Sequence, residues 1–334
     1  MKFFSIFIIV GIFFQAGCVS KPDPEISFYY WKTKFQLSEA EKLCLKVNKV
    51  KQIYLRYCDI KLDPITKLPV PISPVFIRET FPHIKIIPVI YIENAVFLDK
   101  KTNVKELANH TIGFVDQINK SAKIKTDEMQ IDCDWTLNSR DQFLGFINEL
   151  KKQTKKKISA TIRLHQIKYA EQTKIPEVNY GVLMYYNMGK INAANGNSIY
   201  DRNIALKYLE QLKTYPLPLK VAFPIFSWGV HIRNNKVIAL KAKLDIEKFV
   251  NDTNFVVTGN RINAIHPGFN SGIYFKQNDY IKIESINEVQ LKQMVSDLKH
   301  KLRDTPAEII FYDLDLKNIN RYEKSLYQTL ANRF

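Results

Sequence analysis

The chain has 334 residues, is 46% hydrophobic and carries a formal net charge of +16, most of it from lysine. That length suits one large domain or two small ones with a full apolar core. A basic chain can meet nucleic acid, anionic lipid or acidic glycans. Here, however, only Lys155-Lys156-Lys157 forms a run, with no nucleic-acid motif beside it, so nucleic acid is not an expected partner.

In chain order, the first segment reads as a leader. Lys2 is the only charge before position 21, and residues 3–14 are an apolar run. The run is shorter than the roughly 20 residues that span a bilayer. Gln15-Ala16-Gly17-Cys18 then places small residues before a cysteine, where a signal peptidase must approach the backbone. The segment resembles a bacterial lipobox, with Gln15 in place of the usual aliphatic residue. The resemblance implies removal of residues 1–17 and acylation of Cys18, with residues 18–25 as a short polar tether. It also implies a lipid-anchored protein of the bacterial cell envelope, at the outer membrane, whose anchor makes the membrane a partner. Ordinary secretion with an incidental Cys18 is the competing reading. Cys44, Cys58 and Cys133 remain; three thiols cannot all pair, and their spacing is not a zinc pattern. Buried free thiols are expected, with one disulfide left open.

From residue 26 onward, strand-like and helix-like segments alternate. Strands are expected at 26–31, 52–59, 84–93, 128–135, 157–165, 181–187, 220–228 and 307–313. Helices are expected at 38–49, 103–120, 139–154, 201–214, 286–302 and 318–332, with a short one after residue 165. Ser38 and Glu41 have capping-box spacing. Phe143, Phe146, Ile147 and Leu150 recur at helical period. Residues 62–82 read as a proline-rich loop carrying a short helical turn. Eight strand–helix units favour an α/β fold, a single closed (β/α)8 TIM-type barrel spanning 26–334. No glycine-rich phosphate loop follows a strand, which argues against a dinucleotide fold. Residues 229–285 exceed a normal connection and read as an insertion after strand seven. Within it, 231–240 suggests a hairpin around Asn234-Asn235, 245–249 a short helix, and 268–284 a second hairpin.

Sites in such barrels lie at the C-terminal strand ends. Along 128–135, Met129, Ile131 and Cys133 share one face, and Gln130, Asp132, Asp134 and Thr136 share the other. An apolar interior does not accept two neighbouring carboxylates without partners. Along 157–165, Ser159, Thr161, Arg163 and His165 share a face, which makes Arg163 a counter-charge for those carboxylates. A purely structural polar network is the alternative. Other strand ends add Tyr29-Tyr30-Trp31, Arg56, Asp59, Tyr91, Glu93, Tyr185, Tyr186, Asn187, Trp228, Asp313 and Asp315. Aromatic faces among carboxylates and amides suit a sugar, which stacks through its ring faces and hydrogen-bonds through its hydroxyls.

Asp132-Cys133-Asp134-Trp135-Thr136 resembles the DxxDxDxE strand of family 18 glycoside hydrolases, the chitinase-like barrels, in which it often reads DxDWE. Met184-Tyr185-Tyr186-Asn187 resembles that family's MxYD motif. The resemblance implies a sugar-binding (β/α)8 barrel in which a glutamate acts as general acid. In the family, the preceding aspartate and the MxYD pair position the acetamido group of the substrate. The chain departs at three places: Met129 replaces the first aspartate, Thr136 the acid and Asn187 the second-motif aspartate. A threonine cannot deliver a proton as a carboxylic acid does.

Three functional readings follow. One is hydrolysis of a glycan by other carboxylates. Asp134 comes first because it is nearest the strand end, with Asp132 beside it and Glu93, Asp313 or Asp315 as partner. The second is non-catalytic binding of a glycan or oligosaccharide; the third is an assembly role at the envelope. Substrate-binding candidates are Arg163, His165, Tyr185, Tyr186, Asn187, Trp228, Glu93, Tyr91 and Asp313. No cofactor is expected. No metal site is expected either, because His83, His110, His165, His231, His266 and His300 are scattered.

Overall fold

The computed structural model describes residues 23–334. The expected leader, the lipobox and Cys18 lie outside the described residues. Eight parallel strands form the barrel: β1 Glu25–Tyr30, β2 Gln52–Leu62, β3 Lys85–Ile92, β4 Glu128–Asp132, β5 Lys157–Arg163, β6 Tyr180–Met184, β7 Leu219–Pro224 and β8 Glu308–Tyr312. Each pairs with its neighbour in chain order, and β1 pairs with both β2 and β8, so the sheet closes on itself. This is the expected TIM-type architecture. Cys44, Cys58 and Cys133 are buried and free.

The outer helices form where local chemistry starts them and apolar periodicity docks them. Glu39–Val47 opens with the expected capping box: the Glu41 amide donates to Ser38 Oγ at 3.3 Å, and the Ser38 amide donates to Glu41 Oε2 at 2.7 Å. Asn103 caps Val104–Ala122. Arg140–Gln153 buries Phe143, Phe146, Ile147 and Leu150, the four residues that share its periodic face. Burying each such side chain contributes roughly 1.5–3 kcal/mol.

Several segments differ from expectation. At 62–82 the expected turn is a single one, closed by the Lys67 amide on the Asp63 carbonyl at 2.9 Å, and the rest of the segment is not loop alone. Pro69–Ile72 pairs antiparallel with the end of β2, and Phe76–Ile77 pairs with Lys34–Phe35. Proline lacks an amide donor but is tolerated on an edge strand, which is where Pro69 and Pro71 lie. The expected helix 201–214 divides into Arg202–Leu206 and a 3-10 turn at Glu210–Thr214, and 318–332 divides into Leu316–Ile319 and Leu326–Ala331. Strand β5 stops at Arg163 because the Gln166 side chain accepts from the Arg163 amide at 2.7 Å and closes a helical turn. His165 therefore belongs to the short helix Leu164–Lys168, not to the strand.

Strand β7 ends at Pro224, before the expected limit, and Ser227–Arg233 already belongs to a second sheet. That sheet is antiparallel, in the order Lys236–Ala242, Ser227–Arg233, Tyr280–Ser285, Arg261–Ala264, Phe255–Thr258. Asn234 and Asn235 take φ of 49° and 59°, the left-handed conformation that a tight hairpin requires. The second expected hairpin forms only in part. Gly268–Asn270 pairs with Ile273–Phe275, but Tyr280–Ser285 pairs with Ser227–Arg233 and Arg261–Ala264. Phe249, Phe255, Phe275, Ile262 and Ile281 give this region its own small core.

One irregularity aims side chains at the barrel mouth. In β2, Arg56 pairs with Val89 and Cys58 with Ile90, so Tyr57 is an extra residue. Tyr57 turns outward and donates to Asn119 of Val104–Ala122 at 2.8 Å. The bulge resets the alternation, so Arg56 and Asp59 both point inward and form an ion pair. At the opposite end the barrel is closed by a polar plug: Glu308 accepts from Ser27, from Tyr54 at 2.8 Å and from Lys220 at 2.6 Å.

Candidate functional site

The C-terminal strand ends open into a cleft of about 600 Å³, lined from β1 by Trp31, from β2 by Asp59 and from β3 by Tyr91. Asp132 and Asp134 line it from β4 and the residues after it, Arg163 from β5, and Tyr186 and Asn187 from the end of β6. Phe226, Trp228, Lys243, Tyr312 and Asp313 complete the wall. An adjoining lobe of about 380 Å³ shares Asp134, Arg163, Tyr186 and Asn187 and adds Thr136, His165, Met188 and Tyr208. The two make one groove with Arg163 and Tyr186 at its waist. A separate hollow of about 450 Å³ lies outside the barrel wall, between Pro69, Pro71 and Val104–Ala122. It receives no inward-facing strand-end carboxylate, so the site is placed in the mouth.

The acidic centre is held by partners from the neighbouring strand. Asp132, 6% exposed, accepts from Thr161 Oγ1 at 2.7 Å. Burial pushes its carboxyl up to about 6, against the pull of Arg163 and with a further push from Asp134. Arg163 donates through Nε to Asp134 and lies 5.9 Å from the Tyr186 ring centre. Its Nη1 is buried and has no hydrogen-bond partner among the described residues. The inward faces expected for the strand-four and strand-five residues thus do meet. Arg163 keeps Asp134 as a hydrogen-bond acceptor in the groove.

A second charged group lies across the cleft. Lys243 Nζ is 3.1 Å from both Asp313 and Asp315, and Asp313 also accepts from Asn318 at 2.5 Å. Burial raises the Asp313 carboxyl, with Lys243 acting against it. Between the two centres runs a chain of aromatic rings. Trp31 and Tyr312 have centroids 5.4 Å apart, Tyr312 and Tyr186 5.7 Å, Tyr312 and Phe226 5.7 Å, and Phe226 and Trp228 5.2 Å. Trp31, Trp228 and Tyr312 are half-buried, leaving part of each ring open to the cleft.

Most of the expected site residues come together here: Asp132, Asp134, Arg163, Tyr186, Asn187, Trp228, Tyr91 and Asp313 line the cleft, and His165 lines the adjoining lobe. Two do not. Tyr185 faces the helix layer, fully buried, with its ring 6.1 Å from Tyr200 and 6.3 Å from Phe223. Neighbouring residues on a strand point to opposite sides, so Tyr185 and Tyr186 could not both enter the cleft. Glu93 sits at the N-terminus of the helix Asn94–Leu98 and lines neither lobe. Tyr312, Phe226 and Lys243 also line the cleft, beyond the residues that the sequence points to. Strict alternation from Asp313 would send Tyr312 outward; both line the cleft because the strand ends at Tyr312 and Asp313 lies beyond it. Lys243 enters from the inserted sheet, and no periodicity signals that.

Thr136 lines the adjoining lobe beside Asp134, and its amide donates to Ser139 Oγ at 2.9 Å. Trp135 lies on the helix side, stacked on Phe143 with centroids 4.2 Å apart and planes at 10°. No carboxylic acid therefore stands where Thr136 meets the groove.

Several solved structures share this architecture. The spore cortex-lytic enzyme SleL of Bacillus cereus superposes with a TM-score of 0.55 at 12% identity, over 94% of this chain and 75% of that one. A GH18 chitinase of Cycas revoluta in complex with (GlcNAc)4 gives 0.53 at 14% identity, over 92% and 98%. The GH18 chitinase ChiB from the chitin utilization locus of Flavobacterium johnsoniae gives 0.50 at 12%, over 94% of each chain. No protein-family model and no curated protein sequence matches the chain. At these identities the likeness shows the fold: the chain has the barrel of the family 18 enzymes.

Proposed function

We propose that the chain is an envelope lipoprotein whose barrel binds a glycan in the groove at its C-terminal strand ends and does not cleave it by the family 18 mechanism. The observation that carries this reading is an aromatic-walled groove centred on Asp132, Asp134 and Arg163, with Thr136 where that mechanism needs an acid. Trp31, Trp228 and Tyr312 supply faces for sugar rings. Asp134, Asn187 and Tyr91 supply hydrogen bonds to hydroxyl and amide groups. His165 and Asp313 extend the polar contacts at either end. The barrels of similar fold that were crystallised with (GlcNAc)3 and (GlcNAc)4 make N-acetylglucosamine oligomers the first ligands to test.

One observation favours hydrolysis as a second reading: the Asp132 carboxyl, pushed up to about 6, can hold a proton near neutral pH. Asp132 would then serve as acid and Asp134 as its partner. The two readings separate in a calorimetric titration with chitotetraose and with peptidoglycan glycan strands, followed by chromatography of the mixture. Binding without products is expected, and Trp228→Ala should weaken it about tenfold, the loss of one ring contact at about 1.4 kcal/mol. Absence of binding to any of these glycans would refute the proposal. The lipid anchor is tested separately: Cys18→Ala should move the protein from the membrane fraction to the soluble fraction, and unchanged fractionation would refute acylation at that cysteine.

A further inference from the structure

The wall that carries Trp228 does not belong to the barrel. It belongs to the inserted antiparallel sheet, and a buried charge pair fastens it to the loop that leaves β6. Lys282 and Glu284 are two residues apart on Tyr280–Ser285, so they share one face of that strand. Both are almost fully buried, and their charged atoms lie 2.8 Å apart. Glu284 is directly opposite Trp228 in the sheet register. Its Oε2 accepts from the Trp228 indole Nε1 at 2.8 Å, from the Ser198 amide at 3.0 Å and from the Ser198 hydroxyl. Lys282 donates to the carbonyls of Asn192, Ala194 and Gly196 at 3.0, 2.6 and 3.0 Å.

The segment held in this way, residues 187–198, begins at Asn187, one of the groove residues. Its middle is rich in Asn, Gly and Ala, and most of its side chains are exposed, so it has little apolar packing of its own. The Asn187 amide bonds to the Ile199 carbonyl at 2.8 Å, and the Gly189 amide to the Ser198 carbonyl at 3.1 Å. A Cβ at Gly189 would lie 3.0 Å from the Ser198 backbone. The loop therefore doubles back closely on itself, and Ser198 is the point at which Glu284 grips it.

A buried ion pair is costly unless every remaining donor and acceptor is used. Here Lys282 spends its donors on three carbonyls of one loop, Glu284 Oε2 gathers a tryptophan and a serine from two separate segments, and Glu284 Oε1 is matched only by the Lys282 charge at 2.8 Å. We infer that Glu284 is a positioning residue for the groove: through one carboxylate it fixes the plane of Trp228 and the return of the 187–198 loop. The inserted sheet and the loop after β6 thereby form a single wall of set spacing from Arg163 and Asp134. This inference rests on the glycan reading for its consequence, but not for its geometry. The pair defines how wide a sugar chain the groove admits, although neither residue lines it.

The test uses the full chain and has a ligand-free arm. Hydrogen exchange of Glu284→Ala is compared with wild type, and the chitotetraose affinity of both is measured. Amides of residues 189–198 should exchange about tenfold faster or more in Glu284→Ala, while β3, β4 and β5 keep wild-type exchange. Affinity should fall about tenfold, with Glu284→Gln, which keeps an acceptor of the same shape, retaining most of it. Combining Glu284→Ala with Trp228→Ala should weaken binding by less than the product of the two single effects, because part of what Glu284 does passes through the Trp228 ring. If Glu284→Ala fails to fold, Lys282→Met/Glu284→Leu removes the charge pair while filling its space, and the same loop release is expected. Unchanged loop exchange would overturn the inference, as would a freed loop with undiminished affinity in a protein that needs Trp228 to bind. If wild type binds no glycan, the glycan proposal falls, and the exchange arm alone decides whether Glu284 holds the wall.

Discussion

At Asp132 a carboxyl group stands almost fully buried at the mouth of the barrel. It lies beside Asp134 and is offset by Arg163 and Thr161. Its folded-state carboxyl holds a proton up to about pH 6, against 3.8 when unperturbed. A group raised in this way binds its proton more tightly folded than unfolded. Its contribution to stability is therefore fully present below about pH 4 and is lost as pH rises through 6. The full span is about 3 kcal/mol. Asp132→Asn should remove that dependence, so the stability of the variant relative to wild type should rise between pH 4 and pH 7.5. Urea unfolding at the two pH values checks this; a pH-independent difference would contradict it. The position of Asp132 was legible in the sequence because a period of two forces Gln130, Asp132 and Asp134 to one face, and Thr161 and Arg163 to the facing one. Lys243 was not legible, because its place beside Asp313 depends on how a distant sheet folds back over the barrel.

At the scale of elements, capped and strongly periodic helices form where their local signals place them, whereas the partners of the edge and inserted strands do not follow from sequence. The capping box at Ser38 and the periodic face of Arg140–Gln153 are written within a few residues of one another, and both form as the sequence implies. That helix also supports the site indirectly. Phe143 stacks on Trp135, which stands between Asp134 and Thr136 in the chain. Phe143→Ala should cost about 3–5 kcal/mol by cavity formation, lower the melting temperature, and loosen the strand end that carries Asp134. A thermal melt indistinguishable from wild type would contradict that role. By contrast, Pro69–Ile72 and Tyr280–Ser285 carry strand-like composition but do not encode their partners. Composition specifies a pleated surface, and only the closed structure decides which edge it meets. The bulge at Tyr57 is of the same kind: one added residue moves Cys58 out of the barrel and Asp59 into it.

At the scale of the whole molecule, the barrel and the inserted sheet share one groove. The barrel contributes the charged centre, and the sheet contributes Trp228 and Lys243. The count of eight strand–helix units was enough to anticipate the closed sheet, since an open one would leave two edges to protect. The resemblance to family 18 barrels was carried by two short strands, and the fold bears it out over more than nine-tenths of the chain. The departure at Thr136 matters beside the likeness, because on the proposed reading it separates holding a sugar from breaking it. The most direct measurement is to incubate the purified domain with chitotetraose at a concentration that saturates the calorimetric titration and to follow new reducing ends over a day. Saturable binding with no reducing ends above the protein-free control is the predicted result. Steady release of reducing ends that is abolished by Asp134→Asn would contradict the account.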